Sequence, residues 1–213
     1  MAVKATVQLV WIRRFKPVLF ILCVLPLVFL VIGAVTGNLS ADPIEDITLT
    51  TGEWTLRFLL ITLTVTPLRQ ITGWNTLIRM RRMLGLFAFF YVCLHFLTYI
   101  VLEQYFAWPE IIEDILTRNY ILVGFLGFIL LIPLAITSTN KMMKRLGGKR
   151  WQQLHRLVYV ATVAGILHFL WLVKSDVTEP VIHAIVLTAL LGYRAFQQRC
   201  TTRTQTQKAS VTA

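Results

Sequence analysis

The chain has 213 residues, 56% of them hydrophobic, with a mean hydropathy of +0.68 and a formal net charge of +11. A soluble domain is about 45–50% apolar; here the excess sits in blocks of about 20 residues, the length that crosses a hydrocarbon core. These blocks leave no room for a separate soluble domain, and the basic surplus needs no nucleic-acid partner to explain it.

The blocks predict an all-α fold, a bundle of six transmembrane helices over residues 17–36, 53–71, 83–102, 119–137, 151–173 and 177–196. The first is too long for the apolar region of a signal peptide, about 7–15 residues, and no small-residue cleavage site follows it. Arg57, near the start of the second helix, can snorkel to the interface. The sixth block has the shortest uninterrupted apolar core. Residues 1–16 and 197–213 read as tails flanking one membrane domain. Cys23, Cys93 and Cys200 form no CxxC pattern and read as free small hydrophobes.

The charges sort by side. Lys4, Arg13, Arg14 and Lys16 precede the first helix, and Arg69, Arg79, Arg81 and Arg82 separate the second from the third. Lys141, Lys144, Arg145, Lys149 and Arg150 separate the fourth from the fifth, and Arg194, Arg199, Arg203 and Lys208 close the chain. Arg57, Arg118 and Lys174 fall on the opposite side, and Arg156 lies just inside the fifth helix. All ten acids, from Asp42 to Glu179, fall on that opposite side. Cytoplasmic loops carry the Lys/Arg excess, so both termini are expected in the cytoplasm and the acidic loops outside. Anionic lipid headgroups are the expected neighbours of the basic side.

Ionisable side chains inside a membrane are costly and mark function. No acid lies deep in a predicted helix, which argues against a proton-relay pump or ion-coupled transporter. All four histidines, His95, His155, His168 and His183, do lie in predicted helices. Imidazole is a haem-iron ligand, and a b-type haem between helices needs two of them at one depth. Counted from the basic ends, His95 stands about 20 Å deep, His168 about 27 Å and His155 about 8 Å. The third and fifth helices are therefore expected to hold a haem between His95 and His168 in the outer half of the membrane.

His155 lies about 20 Å below His168, a separation that suits stacked cofactors, but the two rings are roughly 140° apart on an ideal helix. A bend near Gly165 would bring them closer. The third helix offers no inner histidine to match; Arg81 stands fourteen residues before His95. A lone transmembrane histidine is otherwise explained as a hydrogen-bonding contact between helices, and that is the reading for His183. Phe87, Phe89, Phe90, Tyr91, Phe96 and Tyr99 surround His95 in sequence and suit either a porphyrin pocket or plain packing. No Walker loop, GxGxxG, HExxH or nucleophile elbow is present, so electrons must arrive from another protein or a membrane-soluble carrier.

Four stretches carry a likeness: Ala41-Asp-Pro-Ile-Glu-Asp-Ile, Arg79-Met-Arg-Arg-Met-Leu-Gly-Leu-Phe before His95, and Ala135-Ile-Thr-Ser-Thr-Asn before Leu146-Gly-Gly-Lys-Arg-Trp-Gln-Gln-Leu-His155-Arg-Leu-Val-Tyr. From Trp11 to Tyr193 the chain resembles the MsrQ (YedZ) family, within the ferric-reductase-like transmembrane group. The resemblance implies a haem-binding subunit in a bacterial inner membrane. Such a subunit passes electrons from the quinone pool or a cytoplasmic reductase to a periplasmic molybdopterin enzyme that reduces methionine sulfoxide. It implies haem binding by His95, His155 and His168, one or two b-type haems, and flavin mononucleotide at a place no motif marks. Arg81 departs from the wider group, where an inner histidine is expected, and this bears on the haem count. No substrate-reducing site of its own is expected. Two other functions stay open on the residues alone: a free-standing haem-containing metal or quinone reductase, and a haem-free transporter or structural membrane protein.

Overall fold

The computed structural model describes residues 2–173 and 176–211, with side chains described for residues 15–75, 77–173 and 176–199. Among the described residues all regular structure is helical. The order is α1 (Ala2–Thr36), α2 (Pro43–Thr72), α3 (Ile78–Thr98), α4 (Trp108–Thr117), α5 (Asn119–Ile136), α6 (Asn140–Leu146), α7 (Gly148–Leu154), α8 (Leu157–Leu172) and α9 (Thr178–Val211). A π-helical turn, Tyr99–Glu103, extends α3. Helices α1 and α9 run on through most of the two predicted tails.

Helix α2 starts ten residues before the predicted block. The Asp42 side chain accepts from the Ile44 and Glu45 amides, and Pro43 fills the first helical position, where its missing N–H costs nothing. Gly73, at φ 70°, closes the helix by donating to the Arg69 carbonyl. Helices α4 and α6 occupy stretches predicted as loops, and α7 forms the separate first part of the predicted fifth helix. On α4, Trp108, Ile112 and Leu116 are exposed at four-residue spacing while Ile111 and Asp114 point inward, so the helix is amphipathic.

Among the described residues, five helical segments are long and apolar enough to cross a membrane: Phe15–Thr36, Ile78–Glu103, Asn119–Ile136, Gly148–Leu172 and Thr178–Arg199. Helix α2 is not among them, although its 30 residues would rise about 45 Å. The reason is position. It packs against α3, α8, α9 and α1, and it buries nine residues, among them Thr51, Thr55 and Thr62. A helix enclosed by protein has less need of apolar side chains than one facing lipid. The outward faces of the others expose Phe20, Phe29, Val35, Val160 and Ile185.

The core joins Leu56, Phe58, Leu59 and Leu63 of α2 to Phe87, Ala88 and Tyr91 of α3 and to Ala161, Ile166 and Phe169 of α8. The Tyr91 hydroxyl donates to the Cys23 carbonyl at 2.9 Å and accepts from the Leu27 amide at 3.1 Å, tying α1 to α3 beside Pro26. Cys23 and Cys93 are free thiols, as expected; the side chain of Cys200 lies outside the described residues.

Candidate functional site

His95 sits near the end of α3 and His168 near the end of α8. Their ring centroids are 6.1 Å apart and the rings are nearly perpendicular, at 80°. The expected 7 Å mismatch in depth is absent, because the count from Arg150 assumed one straight helix. The chain breaks instead at His155–Arg156, between α7 and α8. Gly165, where a bend was considered, lies within α8; a Cβ there would stand 2.8 Å from Leu56 Cδ2, so it lets α2 and α8 touch.

Each histidine is held from behind by a neighbouring helix. His95 Nδ1 donates to the Thr48 carbonyl of α2 at 2.9 Å, and His168 Nδ1 donates to the Tyr120 carbonyl of α5 at 2.7 Å. A carbonyl can only accept, so each Nδ1 carries the proton and each Nε2 keeps its lone pair. This backbone support is the arrangement that orients metal-ligating histidines. The supporting helices come close because they present glycine. A Cβ on Gly124 would stand 2.6 Å from His168 Nδ1, and one on Gly52 would stand 3.1 Å from His95 Nδ1 and Cε1.

Both rings line a cavity of about 1090 Å³ between α2, α3, α5 and α8, just above the roughly 300–1,000 Å³ range of cofactor pockets. Phe96 stacks on Phe128 at 4.8 Å and packs on Phe125 at 5.8 Å, giving the wall a flat aromatic surface. The mouth is acidic: Asp42, Glu45, Glu53, Glu103 and Asp114 line it, with Arg118 as its one lysine or arginine among the described residues. The Tyr120 hydroxyl and the Asp114 carboxylate, 2.9 Å from Arg118 Nε, hold that guanidinium's pKa above its usual value. Thr48 donates through its hydroxyl to Glu103 at 2.8 Å, so the same residue serves the mouth and the His95 anchor.

Haem fits these residues. Ring centroids 6.1 Å apart leave the space that one metal ion between two imidazoles would need. Two nitrogen donors with fixed tautomers, an aromatic wall and glycines that clear both rings complete the fit.

His155 and His183 stand apart from this cavity. His155 ends α7, stacks on Trp151 at 3.9 Å and meets the Thr137 hydroxyl through Nε2 at 3.2 Å. That hydroxyl donates to the Pro133 carbonyl, so His155 Nε2 is the donor and its tautomer is the reverse of the other two. Arg81 lies within electrostatic reach of it. His183 is buried on α9 and binds the Glu179 carbonyl of its own helix through Nδ1 at 2.6 Å, a bond within α9 rather than the contact between helices that was expected. Sequence reasoning missed Gly52, Gly124, Thr48 and Tyr120. Gly124 and Gly127 at three-residue spacing on one helix were the available signal for close packing.

The model of the family described as "Ferric reductase like transmembrane component" matches residues 51–166. A protein of Herminiimonas arsenicoxydans is 54% identical over 183 residues, covering 85% of this chain and 84% of its own length. One of Rhodospirillum rubrum is 54% identical over 182 residues, covering 85% and 88%. One of Polaromonas naphthalenivorans is 48% identical over 183 residues, covering 85% and 84%. Each is named "Protein-methionine-sulfoxide reductase heme-binding subunit MsrQ".

Proposed function

The chain belongs to the MsrQ family of ferric-reductase-like transmembrane components, and from that membership we propose that it is the haem-binding subunit of a methionine sulfoxide reductase system. It carries electrons across a membrane for a partner that does the reduction. The finer reading has six spanning helices, both termini in the cytoplasm of a bacterial inner membrane, and haem b held by His95 and His168. The donor in this reading is quinol or a cytoplasmic flavin reductase. The acceptor is a periplasmic molybdopterin methionine sulfoxide reductase docking at the acidic end.

The observation that carries the reading is the pair of histidines 6.1 Å apart, each oriented by a backbone carbonyl and cleared by a glycine. Haem, when bound there, supplies a one-electron couple. His95 and His168 would hold its iron through Nε2, with Thr48 and Tyr120 keeping both Nδ1 protons in place. Phe96, Phe125 and Phe128 exclude water from one wall. His155, across the break from α8, is the residue proposed to help hold an inner carrier, a second haem or flavin mononucleotide. The test is a haem and flavin assay on purified protein, with His95, His155 and His168 each changed to alanine. A reduced b-type band must appear in the unaltered chain; its absence would leave a haem-free transporter or structural protein as the reading.

A further inference from the structure

We propose that α4 is a membrane-surface helix, which lays the stripe Trp108, Ile112 and Leu116 into the lipid headgroup region at the acidic end of the bundle. The proposal takes the chain as a membrane protein and does not rest on the electron-transfer reading. Helix α4 joins two segments long and apolar enough to cross a membrane, Ile78–Glu103 and Asn119–Ile136. Four residues separate it from the first, and Arg118 alone separates it from the second. Both its ends are therefore tethered where those spans leave the hydrocarbon. Leu97 and Leu126, both exposed, stand about 10 Å back along the two spans, so lipid-facing surface begins close to the helix.

Residues of α4 sort into three faces. Ile111 and Asp114 are buried, and Asp114 and Ile115 line the cavity mouth. Glu110, Glu113 and Thr117 are exposed and polar. Trp108, Ile112 and Leu116 are exposed and apolar, Ile112 at 57% and Leu116 at 71%. At about 100° per residue these faces lie roughly 120° apart. A helix on a water-facing surface needs one face for protein and one for water. A third, apolar face suits a helix wedged between the bundle, water and lipid. The rotation of α4 is pinned by Asp114. Its Oδ2 accepts from the Tyr99 hydroxyl at 3.1 Å and from Gln104 Nε2 at 3.0 Å, and its Oδ1 meets Arg118 Nε at 2.9 Å. With that face held to the bundle, the apolar stripe cannot turn inward.

The turn that leads into α4 supplies more of the same surface. Tyr105 and Phe106 stand at φ 47° and 61°, in the left-handed region that aromatic residues rarely occupy. Backbone bonds hold the turn, from the Phe106 amide to the Ile100 carbonyl at 2.9 Å and from the Ala107 amide to the Gln104 carbonyl at 2.8 Å. It leaves Tyr105 75% exposed and sets the Phe106 ring 6.5 Å from that of Trp108. Tyrosine and tryptophan gather at the headgroup level, where one part of the ring is apolar and the other wet. Glu110 and Glu113 offer no attraction to anionic lipid, so apolar area rather than headgroup charge seats the helix.

The experiment uses the full chain in phosphatidylcholine nanodiscs, with Cys23, Cys93 and Cys200 changed to alanine. A nitroxide is attached in turn to Glu110→Cys, Ile112→Cys, Glu113→Cys and Leu116→Cys, and its accessibility to oxygen and to a water-soluble nickel chelate is measured. The ratio of oxygen to nickel accessibility should be several-fold higher at Ile112→Cys and Leu116→Cys than at the two glutamate positions. A stripe as open to the nickel chelate as the glutamates lies in water, as a docking face for a protein partner would, and overturns the proposal. If the cysteine-replaced chain does not fold, tryptophan emission of the otherwise unaltered chain provides the second measurement. The part of the emission that Trp108→Phe removes should be quenched by lipid brominated at the top of its acyl chains. If that part escapes quenching, the proposal fails.

Discussion

Gly124 and Gly52 govern how near the helices behind the two imidazoles can stand. Gly124→Ala places a methyl 2.6 Å from His168 Nδ1, whereas Gly52→Ala leaves 3.1 Å at His95. Gly124→Ala is therefore expected to lose more bound haem than Gly52→Ala, read as the reduced-minus-oxidised difference spectrum per mole of protein. His95→Ala and His168→Ala should each abolish that signal while the protein still inserts, and His183→Ala should leave it intact. An unchanged spectrum in either of the first two would end the assignment. The histidines themselves were legible because an imidazole inside an apolar helix stands out. Their supports were not, since a backbone carbonyl is present at every residue and only packing selects Thr48 and Tyr120.

Helix α2 was the hardest element to read and is the most enclosed. Thr51, Thr55 and Thr64 answer carbonyls one turn back, so much of a polar sequence folds without exposing polar groups. The predicted block began only at residue 53 because the first turns of α2, rich in Thr and acids, look like loop. Leu56 reaches Gly165 across the α2–α8 contact, and Leu56→Ala should cost about 2–5 kcal/mol, seen as a lower unfolding midpoint in detergent. The break between α7 and α8 was equally hidden, since no proline or glycine marks His155–Arg156. Topology rests on charge alone and has its own check. A reporter fused at the C-terminus should behave as cytoplasmic, and one inserted after Gln104 as periplasmic. The opposite result would reverse the orientation.

At the scale of the whole molecule, the two ends differ in both charge and task. The basic end faces the proposed donor and the acidic mouth faces the proposed acceptor. His155→Ala should slow reduction of the bound haem by the donor more than it slows oxidation by the partner, measured by stopped-flow absorbance with the half-reactions separated. Complementary charge speeds encounter and salt screens it, so the acceptor half-reaction should slow as salt rises; indifference to salt would remove the acidic docking face. The overall charge pattern is legible in the sequence because it is a property of loops. The cavity was not, because it exists only between helices.

The acidic mouth has a consequence for driving force. A ring of carboxylates favours the more positive, oxidised member of any one-electron couple placed behind it, and so lowers its midpoint potential. Glu103 stands next to this machinery, accepting from the hydroxyl of the residue whose carbonyl fixes His95. Glu103→Gln removes its charge while keeping its shape, and should raise the midpoint by on the order of tens of mV, measured by potentiometric titration of the haem. The carboxylates that attract a basic partner would then also make the electron easier to give away.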